Sequence, residues 1–132
     1  MLPVGTPIKV FVTGWLVGKF NEHPAYGSAT ILPAEDVIVN GRLIVLKGVP
    51  GRSFGGKVLD FVPPCSSITV AALFVWTEDY QILPVSFGDP QKATPNAFTF
   101  PLGREGLFQC RRSNVETTVY INGPPTLTIP KL

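Results

Sequence analysis

Apolar and polar residues alternate along this chain in short runs, each closed by glycine, proline or a small polar residue. Under a two-residue period successive side chains point to opposite faces, so Ile8, Val10 and Val12 share one face of a strand over Ile8–Thr13. Trp15-Leu16-Val17 continues that strand past Gly14, where a bulge is expected. A polar loop, Asn21-Glu22-His23-Pro24, precedes a strand over Ala29–Leu32. The sharpest local signal is Asn40-Gly41 between Val37-Ile38-Val39 and Arg42-Leu43-Ile44-Val45-Leu46. Asn-Gly accepts the two positive φ angles of a type I′ turn, whose twist matches the flanking strands. A two-residue loop then sets Val39 opposite Arg42, Ile38 opposite Leu43 and Val37 opposite Ile44. Apolar pairs fall on both faces, which predicts cover on both sides, by the core and by a second layer or subunit.

Further strands are expected over Lys57–Val62, over Ile68–Val70 running on through Phe74–Trp76, and over Ile82–Phe87, Ala97–Phe100, Leu107–Cys110, Glu116–Ile121 and Thr126–Ile129. Leu73, Trp76, Tyr80 and Leu83 also fit a helical face. The β-branched and aromatic content up to Trp76 favours a strand, with Thr77-Glu78-Asp79 as its turn. About nine strands without a helix describe a single all-β domain over residues 1–132: an antiparallel two-sheet sandwich (a jelly roll or a relative) or a small barrel.

Composition adds a pressure to this picture. Hydrophobic residues are 45% of the chain and charged ones 15%, where about 25% is usual for the latter. A surface so poor in charge is built either from Gly- and Pro-rich turns or from areas that partners cover. The 14 prolines and 13 glycines fall between the apolar runs, where they make turns and not a low-complexity tract. A net charge of +2 gives no electrostatic reason for a nucleic-acid or membrane partner. No run reaches the roughly 18 apolar residues of a membrane span. Met1-Leu2-Pro3-Val4-Gly5 lacks the basic and apolar regions of a signal peptide, so synthesis in a cytosol is expected. Cys65 and Cys110 fit buried, reduced thiols there, with a disulfide open as the alternative.

Enzyme chemistry lacks its usual residues. The single histidine, His23, sits in a loop beside Pro24, and no serine stands in a Gly-x-Ser-x-Gly elbow. Glu35-Asp36 and Glu78-Asp79 are adjacent pairs whose members would diverge on a strand, so they read as turn and edge carboxylates. One histidine and two distant cysteines cannot form a zinc site, no calcium loop is present, and no cofactor is expected. The glycine-rich stretch 51–57 lacks P-loop spacing. Phe108, Arg111 and Arg112 with nearby Arg104 would suit single-stranded nucleic acid, but Glu105 and Glu116 flank them, giving a balanced surface.

Trp76, followed by Gly106-Leu107-Phe108-Gln109-Cys110 and preceded at eleven residues by Cys65, resembles the later half of an immunoglobulin domain. The resemblance spans under half the chain, with Phe108 where the family carries a tyrosine. It implies a two-sheet sandwich in which Cys65 and Cys110 face each other and Trp76 packs against them. In composition and architecture the chain also resembles the head-decoration (cement) proteins of phage particles. That resemblance implies a non-enzymatic virion structural protein, made in the host cytoplasm, that stabilises a shell by contact with capsid or other virion proteins and forms a trimer or dimer. The contact residues expected are the aromatics and arginine near turns: Trp15, Phe20, Tyr26, Phe54, Tyr80 and Arg112. The alternative is an immunoglobulin-like or lectin-like recognition module that binds a protein or glycan through loops.

Overall fold

A computed structural model describes residues 3–19, 23–48, 55–62 and 65–125, with side chains from residue 27 onward in the second segment and up to Gly18 in the first. Among them are eleven strands and no helix: β1 (Pro7–Lys19), β2 (His23–Pro33), β3 (Val37–Val39), β4 (Arg42–Val45), β5 (Gly55–Val62), β6 (Ser67–Ala72), β7 (Phe74–Trp76), β8 (Ile82–Ser86), β9 (Phe98–Phe100), β10 (Gly103–Gly106) and β11 (Gln109–Ile121). Nine join one antiparallel sheet in the order β7-β8-β11-β1-β2-β5-β6-β9, with β10 paired to β11; β3 and β4 form a separate hairpin.

The sheet curls until its path returns on itself. Strand β6 passes through one residue, Leu73, into β7, so one end of the strand order belongs to the same stretch of chain as the strand next to its other end. Leu73 donates its N–H to the Gly55 carbonyl of β5 and accepts at its own carbonyl from Val85 N–H of β8, at 2.7 and 3.1 Å. The remaining seam, β8 against β11, is short: Ser86 faces Tyr120 and Val85 faces Ile121. Curling removes most open edges, which is how a β protein avoids uncontrolled pairing. The all-β expectation holds, in the barrel-like variant.

The core is the inner face of this curl. Along β1 the even positions Ile8, Val10, Val12 and Leu16 are buried, as the alternation requires, and Ile31, Ile68, Val70, Leu83, Val85, Val119 and Ile121 meet them from the other strands. The register of β1 against β11 does shift between Val12 and Gly14, but the extra residue lies in β11 and not at Gly14: Thr13 alone stands against Ser113 and Asn114, and Asn114 has a φ of 55°. A Cβ at Gly14 would stand 2.8 Å from the Phe100 ring and 3.0 Å from Ile68, so glycine there makes room for that ring.

Several boundaries move. His23 and Pro24 belong to β2, paired with Lys19 and Gly18, instead of to a loop. Leu107 and Phe108 form the two-residue turn between β10 and β11 instead of a strand. β11 runs on through Arg111 and Arg112, paired with Trp15 and Gly14 of β1, and across Ser113-Asn114, where Asn114 N–H donates to Thr13 Oγ1 at 3.2 Å. In the Asn40-Gly41 hairpin both turn residues have positive φ, 53° and 78°, and Val39↔Arg42 and Ile38↔Leu43 pair as expected. A bulge then shifts Val37 opposite Val45 instead of Ile44. The strand expected over Thr126–Ile129 lies outside the described residues.

Candidate interaction surfaces

Registers place three features at one end of the curled sheet. β1 ends at Lys19 beside the start of β2, Val17 pairs with Gln109 at the start of β11, and β5 runs antiparallel to β2 toward the same end. There Cys65, in the β5–β6 turn, is disulfide-bonded to Cys110 of β11, with Cα atoms 5.7 Å apart. The expected reduced thiols are thus corrected to a bridge, because the curl brings these two chain positions together. The pairing that the immunoglobulin resemblance implies is present. Trp76 stands elsewhere, at the far end of β7, packed edge-on against Phe74 with ring centroids 5.5 Å apart.

Around the bridge, large apolar side chains face solvent. Leu107 is 75% exposed and Phe108 51%, both at the tip of the β10–β11 turn. Val62, at the end of β5, is 51% exposed, and Leu59 on the same strand is exposed as well. Each half-cystine lies three residues from one of these side chains, Cys65 from Val62 and Cys110 from Leu107. The tip is held in place, for Gly18 N–H donates to the Phe108 carbonyl at 2.8 Å. Arg104, Arg111 and Arg112 are exposed on the same hairpin, with Glu105 beside them.

At the opposite end the β3–β4 hairpin and the β7–β8 turn enclose a half-open groove of about 410 Å³. Asn40, Arg42 and Leu43 line one side, Glu78, Asp79 and Gln81 the other. Glu78 N–H donates to the Ile44 carbonyl at 2.7 Å, fastening the turn to β4. Glu78 and Asp79 are turn residues, as expected, but they do not diverge as strand neighbours would: both line the one groove. The hairpin is covered on one face only. Val37, Val39 and Ile44 pack against the core, whereas Ile38 is 63% exposed, so the expected second layer does not come from the described residues of this chain.

The six residues expected to make contacts do not form one site. Tyr80 is 66% exposed in the β7–β8 turn, between the groove-lining Asp79 and Gln81, and Arg112 is exposed on β11 opposite Gly14. Trp15 is half-buried on β1, across from Arg111 on one side and Ser28 on the other. Tyr26 pairs through its backbone with Val17, and its side chain lies outside the described set, as do Phe20 and Phe54 altogether. Leu107, Phe108 and Val62 were missed, since an apolar run reads as strand core until the register shows where the turn falls.

Among the described residues no group of three or more metal-ligating side chains occurs, and no helix is long and apolar enough to cross a membrane. In comparisons with known proteins, no family model, no curated protein and no solved structure matches the chain.

Proposed function

We propose that this chain is a non-catalytic structural protein that works by contact with other proteins, in the manner of a virion decoration protein that stabilises a shell. One observation carries the reading: exposed Leu107, Phe108 and Val62 stand at the same end of the sheet as the Cys65–Cys110 bridge. Isolated apolar side chains on a surface need no explanation, but several converging on one end, held rigid, make a docking rim. Leu and Phe at a fixed tip lose little conformational freedom on binding, and the arginines around them supply the polar border typical of such interfaces. The low charge content of the chain agrees with a surface that partners cover. The disulfide fits a particle that leaves the cell, since such bonds persist in oxidising surroundings.

The test replaces the rim without touching the core. Leu107→Ser with Phe108→Ser should leave the melting temperature unchanged, because both side chains are exposed, and should abolish self-association in light scattering and co-sedimentation with particles. A wild-type protein that stays monomeric at high concentration and binds no particle would remove the proposal.

A further inference from the structure

We propose that the groove between the β3–β4 hairpin and the β7–β8 turn binds a neutral carbohydrate, with Tyr80, carried between the lining residues Asp79 and Gln81, as the stacking platform. The site lies at the other end of the molecule from the apolar rim and does not depend on it.

The first argument is the conformation of Tyr80. Its φ is +63°, in the left-handed region that a bulky side chain enters only at a cost and that glycine or asparagine enters freely. The turn around it is over-determined. Thr77 Oγ1 donates to Asp79 Oδ1 at 2.7 Å and accepts from Gln81 N–H at 2.8 Å; Thr77 N–H donates to the Gln81 carbonyl at 2.9 Å and Tyr80 N–H to the Thr77 carbonyl at 3.2 Å. The strain is therefore absorbed by the turn, and its result is a tyrosine side chain carried on the turn at 66% exposure. Strain retained at an exposed position points to a use for the side chain.

The second argument is the chemistry of the groove that this turn helps to line. Both sequence neighbours of Tyr80, Asp79 and Gln81, line the groove. Asn40 and Gln81 offer amides that donate and accept, Arg42 only donates, and Glu78 and Asp79 only accept. A sugar presents hydroxyls that each donate and accept, together with an apolar C–H face that packs on an aromatic ring, so it engages every one of these groups. With one cation against two anions, the lining repels a phosphate or other anion. The volume falls within the range of small-ligand clefts and admits a mono- or disaccharide.

The test uses the whole chain with a panel of neutral saccharides: glucose, galactose, mannose, N-acetylglucosamine and their β-linked disaccharides. Saturation-transfer NMR and calorimetry should detect at least one of them with a dissociation constant of about 1 mM or tighter, as an open site with few contacts allows. Tyr80→Gly removes the ring and relieves the backbone, so it should fold as stably as the wild type or more so, yet weaken binding about tenfold or more. Tyr80→Phe should retain binding, and Arg42→Ala should reduce it. The proposal is overturned if no saccharide binds, if Tyr80→Gly binds undiminished, or if the groove takes a short lysine-rich peptide and no sugar.

Discussion

Asn96 shows how a single side chain can replace a missing piece of strand. Between β8 and β9 the chain leaves the sheet, and Ala72 on β6 loses its backbone partner on that side. The Asn96 amide fills the place: Oδ1 accepts from Ala72 N–H at 3.0 Å and Phe87 N–H at 2.8 Å, and Nδ2 donates to the Ala72 carbonyl at 2.7 Å. Ala72 is fully buried, so water cannot take over these bonds. Asn96→Ala should therefore lower stability by about 2 to 3 kcal/mol, the cost of leaving buried backbone groups unsatisfied. Asn96→Asp keeps the Oδ1 acceptor but sets a second acceptor oxygen against the Ala72 carbonyl in place of the donor, so it should destabilise as well. Urea unfolding midpoints of the two variants read this directly, and equal, negligible shifts would refute it. The exposed Lys9–Glu116 pair, 4.0 Å apart, makes the contrast, since such surface pairs contribute little.

The Cys65–Cys110 bridge joins the β5–β6 turn to β11 across 45 residues of chain. By the chain-entropy relation, closing a loop of that length stabilises the folded state by roughly 4 kcal/mol. Cys65→Ser with Cys110→Ser, or reduction of the wild type, should lower the unfolding free energy by an amount of that order. The denatured, unreduced protein should not react with a thiol probe; labelling of both cysteines would sink this account. The elements so joined differ in how far their sequences announce them. β1, β6 and β7 were legible because alternation or β-branched density coincides with burial, as in Ile8, Val10 and Val12. The hairpin of β3 and β4 was legible down to its turn type, since Asn40-Gly41 encodes backbone angles locally. β10 and the first half of β11 were not, because Gly103-Arg104-Glu105-Gly106 and Arg111-Arg112-Ser113-Asn114 bury almost nothing; the extended form of Arg111 and Arg112 comes from the neighbouring ladder. The candidate surfaces were hidden for the same reason. Whether Leu107 lies on a strand or a turn is decided by register, and register is set by contacts far away in sequence.

As a whole the molecule offers two unlike ends, an apolar rim around a disulfide and a polar groove beside a strained tyrosine, with a continuous core between them. That core is closed by the pairing of β1 with β11, Pro7 meeting Tyr120 and Val17 meeting Gln109. Most other strand partners are near neighbours in sequence, so this junction has by far the greatest chain separation. Contacts of that kind form late, because their loop entropy must be overcome first. During synthesis, β1 therefore emerges from the ribosome roughly a hundred residues before its partner, a wait of about 5 to 20 s at ordinary elongation rates. Throughout that interval one edge of the nascent sheet is open to any other extended chain, and folding waits for the last strand. Ribosome-bound chains arrested before β11 should accordingly be digested readily by protease, and full-length chains should resist; protection of the arrested chains would show that closure is not the decisive step.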